Sequence, residues 1–135
     1  MNRVTSKMIS EASGFSRGTV DRALNNRPGI NEKTRKKILK IAKEMGYRPN
    51  FIGQALVTGK TKTIGIILFG LKNTYFSEIY TAIENTARES GYLPLLSLSH
   101  KRIEIEKDSI NYFLDRQVDG LIIVPVNKNP DFYHH

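Results

Sequence analysis

Along the first fifty residues the apolar positions recur every three or four places, in three short bursts. Met8, Ile9 and Ala12 form the first burst and Val20, Ala23 and Leu24 the second. Ile38, Leu39, Ala42 and Met45 form the third. This spacing predicts three helices. Thr5 or Ser6 can cap the first. Ser16 can cap the second, over residues 17 to about 24, and Asn31 the third, which runs to residue 45. Gly14 suits a left-handed turn between the first two, with Phe15 beside it as a hydrophobic staple. Asn25, Asn26, Pro28 and Gly29 make a loop, and Gly46 stops the third helix. After Pro49, residues 51–57 give about two turns of helix behind Asn50 as a cap, with Gly53 inside. Helices shorter than ~12–15 residues are marginal alone in water. This one is predicted to be a linker that orders only when something packs against it.

From Thr63 the period changes. Residues 64–69 form a continuous β-branched and apolar run, as expected of a buried parallel strand. Ile79, Ile83 and Ala87 give helical spacing to residues 76–90, and residues 92–98 read as a second strand. Residues 103–116 read as another helix through Ile110, Phe113 and Leu114, and residues 118–124 as a third strand. Strand–helix–strand–helix–strand predicts a parallel sheet with covering helices. Little follows the third strand to cover it, so the lobe reads as the opening part of a longer protein.

Charge sharpens the division. The 135 residues carry +8, with 21 Lys and Arg against 13 Asp and Glu. Residues 1–62 hold 14 basic and 4 acidic side chains, residues 63–135 hold 7 and 9. A basic front of that density attracts a polyanion, nucleic acid first. Two short helices on a tight glycine turn, backed by a third, make the helix-turn-helix plan, whose second helix enters the major groove. Arg17 and Arg22 lie on the outer side of that helix, and arginine is the usual bidentate reader of guanine. Gly18 between them costs ~1 kcal/mol of helix propensity relative to alanine. Lys33, Arg35, Lys36, Lys37, Lys40 and Lys43 crowd the third helix.

The motifs are more specific than the plan. Ala12 to Asn25 reads ASGFSRGTVDRALN, followed by the pair Thr34 and Arg35 and by Gly46, Tyr47, Arg48, Pro49 and Asn50. Together they resemble the DNA-binding headpiece of the LacI/GalR family of bacterial transcription repressors. Asn73, Thr74, Tyr75 and Phe76, with Val118, Asp119, Gly120, Leu121 and Ile122, resemble the start of that family's effector domain. The implied fold is an all-α helix-turn-helix headpiece (1–48), a hinge helix and linker (49–62), and a truncated α/β parallel-sheet lobe (63–135) of periplasmic-binding-protein-like type.

The resemblance also implies roles. Arg17, Gly18 and Arg22 would face base edges, Ser16, Thr19 and Asn25 phosphates, and the remaining arginines and lysines would supply sequence-blind attraction. Thr5, Lys33, Thr34, Lys36 and Asn50 complete the DNA set. Two hinge helices would pair in the minor groove, with Leu56 as the wedge between base pairs. Asp21 stands where serine is usual, Phe15 where valine is, and Ser10 and Ser13 where alanine is. Asp21 can orient Arg17 or Arg22, repel phosphate, or be a passenger; orientation is the preferred reading. Ligands of such sheets bind beyond the carboxyl ends of the strands. Tyr75 is therefore the first candidate to stack on a sugar or base ring, Phe76 the second, and Asn127 a further contact. The ordinary alternative packs both aromatics in the core.

The expected partners are operator DNA, a second copy or a tetramer, and a small effector such as a sugar. The effector would release a repressor, serve as corepressor, or control an activator. A small-molecule-binding protein without DNA is the alternative of another class. No nucleophile elbow, His-Glu-x-x-His or Walker loop is present, and Gly65 and Gly70 make no dinucleotide fingerprint, so catalysis is not expected. Neither a cofactor nor a metal is expected, and His134 and His135 read as end residues rather than ligands. The absence of cysteine, of an apolar run behind Arg3 and Lys7, and of any run long enough for a bilayer fits a cytoplasmic protein.

Overall fold

The computed structural model describes residues 3–134. The chain divides into two compact units, Met1–Asn50 and Phe51–His135. The first holds α1 (Ser6–Ser13), α2 (Arg17–Leu24) and α3 (Glu32–Glu44). Each starts on a side-chain oxygen that accepts an otherwise orphaned amide. Thr5 Oγ1 takes Met8 N–H at 3.3 Å, Ser16 Oγ takes Thr19 N–H at 3.2 Å, and Asn31 Oδ1 takes Thr34 N–H at 2.7 Å. Gly14, at φ 76°, closes α1 in the left-handed conformation. Ser10 and Ser13 brace the same turn. Ser10 Oγ donates to Phe15 O at 2.6 Å, and Phe15 N–H donates to Ser13 Oγ at 3.3 Å.

The core of this unit is Ile9, Val20, Ala23, Ile38 and Ala42, ringed by half-buried Phe15, Leu24, Ile41 and Met45 among others. Burying each of the three large members contributes ~1.5–3 kcal/mol. Ala12, assigned to the first stripe, is exposed, and so are two others, Met8 and Leu39, at 42% each. Met8 and Leu39 each directly neighbour a core residue, Ile9 or Ile38, and so sit about 100° round their helices from the buried line.

The second unit begins with α4 (Phe51–Thr58) and continues through β1 (Thr63–Leu68), α5 (Thr74–Glu89), β2 (Leu93–Leu98), α6 (Ile103–Asp115) and β3 (Gly120–Ile123). The sheet is parallel with order β2-β1-β3, and Ile66 lies opposite Leu96 on one side and Ile122 on the other. Central β1 buries Ile66, Ile67 and Leu68 completely. Helix α5 starts two residues earlier than its apolar spacing predicts, because Asn73 Oδ1 accepts Tyr75 N–H at 3.0 Å. A 3-10 turn, Pro130–Tyr133, follows β3, where the apolar pattern predicts no element. The fully buried Glu106 holds it. Its Oε1 accepts Tyr133 O–H at 2.6 Å, and its Oε2 accepts Val126 N–H at 2.8 Å. Burial, and then the bond to Glu106, raise the Tyr133 phenol above its ordinary pKa. His134 follows this turn, and His135 lies outside the described residues.

Asp119 fastens the linker to the sheet. Its Oδ1 accepts Thr61 N–H at 2.9 Å and its Oδ2 accepts Lys62 N–H at 3.0 Å. The Thr61 amide leads in holding this carboxyl below the usual aspartate range, with partial desolvation opposing it and the Lys62 amide assisting.

Gly65 is required by close packing. A Cβ there would lie 2.6 Å from both Leu121 Cδ2 and Phe113 Cδ2, where α6 and β3 press on β1. Gly65→Ala is expected to destabilise this unit by ~1–3 kcal/mol through overpacking. Hydrogen-exchange mass spectrometry checks it: β1 and α6 peptides should exchange faster and α1–α3 peptides should not change. Unaltered β1 protection contradicts the packing argument.

Candidate nucleic-acid interface

Helix α2 turns Val20 and Ala23 into the core, which leaves Arg17, Gly18 and Arg22 exposed on the opposite side. Arg22 is placed by two glycines. A Cβ on Gly29 would be 3.6 Å from Arg22 Cδ and Nε, and one on Gly18 would be 3.9 Å from Arg22 Nη1. The arginine stem therefore runs along the Gly29 backbone, and its guanidinium reaches the space above Gly18. Nothing else crowds Gly18, so packing does not require a glycine there.

The polar neighbours are largely engaged with one another. Ser16 Oγ and Thr19 Oγ1 share a hydrogen bond at 2.9 Å, and Asn25 Nδ2 donates to Asp21 O at 2.9 Å. Asp21, a half-buried residue, forms an ion pair with neither Arg17 nor Arg22. Ion pairs among the described residues are Arg35–Glu32 and Arg88–Glu84. The contact behind the orienting role of Asp21 is thus not made. Thr5 caps α1, Thr34 is half-buried behind its own capped amide, and Lys33, Lys36 and Asn50 are exposed. The Lys37 ammonium lies 5.7 Å from the centre of the Phe15 ring.

Arg35 departs from its expected place among the solvent-facing cations. Nη1 donates to Arg22 O at 3.2 Å, Nη2 to Arg27 O at 2.7 Å, and Nε pairs with Glu32 at 3.3 Å. Its side chain is only 12% exposed. It ties the end of α2 and the following loop to α3. Arg3 similarly donates to Pro49 O at 2.9 Å.

Helix α4 buries no residue. Phe51, Ile52, Leu56 and Val57 are 70–82% exposed. A cleft of about 860 Å³ separates it from the base of the sheet, lined by Phe51, Leu56, Tyr92 and Leu93 among others.

A second cavity, about 690 Å³, opens at the carboxyl ends of β1 and β2. Phe69 and Phe76 meet edge to face in its wall, with ring centres 5.6 Å apart. Phe76, the second candidate, lines this cavity. Tyr75, the first, is 63% exposed and lies outside it, because Phe76 shares the inward face of Ile79 and Ile83 while Tyr75 sits about 100° round the helix from it. Asn127 also lies outside. Its Oδ1 accepts Asn129 N–H at 2.9 Å in a local turn. Lys72, His100 and Lys101 also line the cavity, a grouping that no motif in the sequence indicates. His100 and Lys101 have φ of 53° and 60° in a tight turn closed by Arg102 N–H to Ser99 O at 2.9 Å. Without glycine or asparagine such a turn carries only a faint sequence signal, and each residue there costs ~1–2 kcal/mol.

A helix-turn-helix unit whose second helix presents arginines around a glycine, followed by a hinge-length helix and a parallel α/β lobe, defines a class of bacterial regulators. Residues 7–50 match the family model for "Bacterial regulatory proteins, lacI family". The chain belongs to the LacI/GalR family, carrying its helix-turn-helix headpiece, hinge helix and the start of its effector domain. It is 39% identical over 116 residues to the HTH-type transcriptional regulator RegA of Clostridium saccharobutylicum, covering 86% of this chain and 35% of RegA. It is 34% identical over 124 residues to catabolite control protein A of Priestia megaterium, covering 92% and 37%. A lacI-family regulator structure from Silicibacter pomeroyi matches with a TM-score of 0.81 at 31% identity, covering 94% of this chain and 38% of that one. The Lac repressor dimer bound to operator and the anti-inducer ONPF matches with a TM-score of 0.78 at 30% identity, covering 90% and 37%. The chain thus spans little more than a third of the length of these relatives. The family is one of regulators, not enzymes. Among the described residues no helix is long and apolar enough to cross a membrane, and no three His, Cys, Asp or Glu cluster as a metal site.

The Arg35 brace has a measurable consequence without any DNA. Arg35→Ala is expected to destabilise the headpiece by ~1.5–3 kcal/mol, the worth of hydrogen bonds from a charged donor. Lys36→Ala should change it by no more than ~0.5 kcal/mol. Urea unfolding followed by helical circular dichroism measures both, and equal effects would show that Arg35 is only a surface cation.

Proposed function

We propose that this chain is the amino-terminal part of a sequence-specific, operator-binding transcription repressor controlled by a small-molecule effector. The observation that carries this reading is the outer face of α2. Arg17 and Arg22, in no ion pair among the described residues, flank the uncrowded Gly18, within a stretch, residues 1–62, of 14 basic against 4 acidic side chains. Arg17, Gly18 and Arg22 meet base edges. Thr5, Ser16, Thr19, Asn25, Lys33, Thr34, Lys36 and Asn50 meet the sugar-phosphate backbone, and Asp21 sits beside the readers. Residues 1–48 are the headpiece, 49–62 the hinge, and 63–135 the start of the effector and dimerisation lobe.

The exposed apolar residues of α4 support pairing with α4 of a second copy in the minor groove, with Leu56 as the wedge. The matched Lac repressor is a dimer on operator, which supports the same assembly for this family member in the bacterial cytoplasm. The name catabolite control protein A of one relative supports a carbon metabolite, such as a sugar, as effector. The ligand then acts by linkage. An effector that prefers one arrangement of the lobes changes how readily the hinges pair, and operator affinity changes by the same coupling energy.

Selection from a random DNA pool tests the reading. The wild-type chain should enrich a near-palindromic site. Arg22→Ala should relax preference at one base pair per half-site, a loss of ~1–3 kcal/mol in discrimination. Enrichment of no site by the wild type, or of the same site with undiminished preference by the variant, refutes the role of α2. Leu56→Ala should weaken the enriched site while leaving non-specific affinity nearly unchanged in a mobility-shift titration. Equal losses on both would remove the wedge.

A further inference from the structure

We propose that the effector carries an anionic group, a phosphate ester or carboxylate beside a ring, held by Lys72, His100 and Lys101 at the mouth of the Phe69–Phe76 cavity. The inference rests on the reading of this lobe as an effector domain and adds the chemical class of the ligand. The lobe as a whole is acidic, with 9 Asp and Glu against 7 Lys and Arg in residues 63–135. The cavity reverses that sign: Lys72 and Lys101 line it and no carboxylate does. Neither lysine is in an ion pair among the described residues.

The hydrogen-bonding inventory agrees. A neutral sugar needs acceptors for its hydroxyl hydrogens, whereas an ammonium group offers donors alone. The side-chain oxygen of Asn73, which also lines the cavity, has one of its two acceptor positions taken by Tyr75 N–H at 3.0 Å. Among the side chains of the wall the two ammonium groups are the only full charges, and they offer the charge-assisted donors an anion requires. The Phe69 and Phe76 rings leave an apolar surface beside it for the body of a ring.

The turn that delivers two of the three groups is built at a conformational cost. His100 and Lys101 both take left-handed backbone, with φ of 53° and 60°, and strain of this kind collects at ligand clamps. His100 N–H donates to Phe69 O at 3.0 Å, which joins this turn to the loop after β1 and fixes both sides of the mouth. The Lys101 ammonium sits 5.6 Å from the centre of the Phe69 ring, over the cavity wall.

Residue-resolved NMR of the ¹⁵N-labelled chain tests this with glucose 6-phosphate, glucuronate, glucose and inorganic phosphate as probes. The basic headpiece will attract any anion, so only the amides of residues 69–73 and 98–102 report on the cavity. Glucose 6-phosphate or glucuronate should shift them saturably, and whichever of the two binds tighter names the anion. Inorganic phosphate should bind the same amides more weakly, and glucose least. The double variant Lys72→Gln/Lys101→Gln should weaken the tighter ligand at least ten-fold, with the rest of the spectrum unchanged as the check on folding. Glucose binding as tightly as its phosphate, or a double variant without effect, overturns the anionic class and leaves the effector reading standing. Four probes that shift only headpiece amides overturn the site itself.

Discussion

Everything the first unit presents outward depends on five buried side chains: Ile9 from α1, Val20 and Ala23 from α2, and Ile38 and Ala42 from α3. Two of the five are alanines, which add little transfer energy but let the helices approach. With so small a core, polar contacts carry a large share of the stability. A side-chain cap contributes ~1 kcal/mol, about as much as a buried methylene group. Thr5, Ser16 and Asn31 each supply one cap. Arg35 adds a tertiary brace that links α2, its following loop and α3. Several polar residues that a count of charges and hydroxyls assigns to a ligand therefore hold the unit together.

The second unit solves its problem differently. Its central strand is covered closely enough that Gly65 has no room for a methyl group, and its sequence-distant segments are joined by buried or backbone-directed carboxylates. Glu106 draws the 3-10 turn onto α6, and Asp119 draws Thr61 and Lys62 onto the start of β3. The second contact sets where the linker leaves the sheet. Only Gly59 and Lys60 then separate α4 from a fixed point, so the helix is tethered by its carboxyl end while its apolar side chains remain uncovered.

What could be read from the sequence followed from how local each feature is. The limits of α2 and the caps on Thr5, Ser16 and Asn31 rest on residues within one turn of each other, where spacing and side-chain chemistry suffice. The three strands were equally visible in their apolar runs. The brace at Arg35 was hidden because its acceptors are carbonyls 8 and 13 residues away, which have no residue-type signature. The choice between Tyr75 and Phe76 turned on helix phase, since Phe76 lies on the face of Ile79 and Ile83 and adjacent helical residues diverge by about 100°. The cap on Asn73 settles only where α5 starts, which the apolar period alone places two residues late. The His100–Lys101 turn contains no glycine or asparagine to mark its left-handed backbone, and Glu106 reads as one more surface acid on a helix. Both become visible only when the chain is folded.

The open space at Gly18 bears on how such proteins diversify. A position in the first turn of α2 that packing leaves open can exchange its residue without repacking the core. If α2 reads DNA as proposed, new side chains at that point are tested by what they meet in the groove and by the Arg22 guanidinium beside them. Duplicated copies of the gene can then drift to separate binding sites by single substitutions, and lineages of regulators multiply with one scaffold in common.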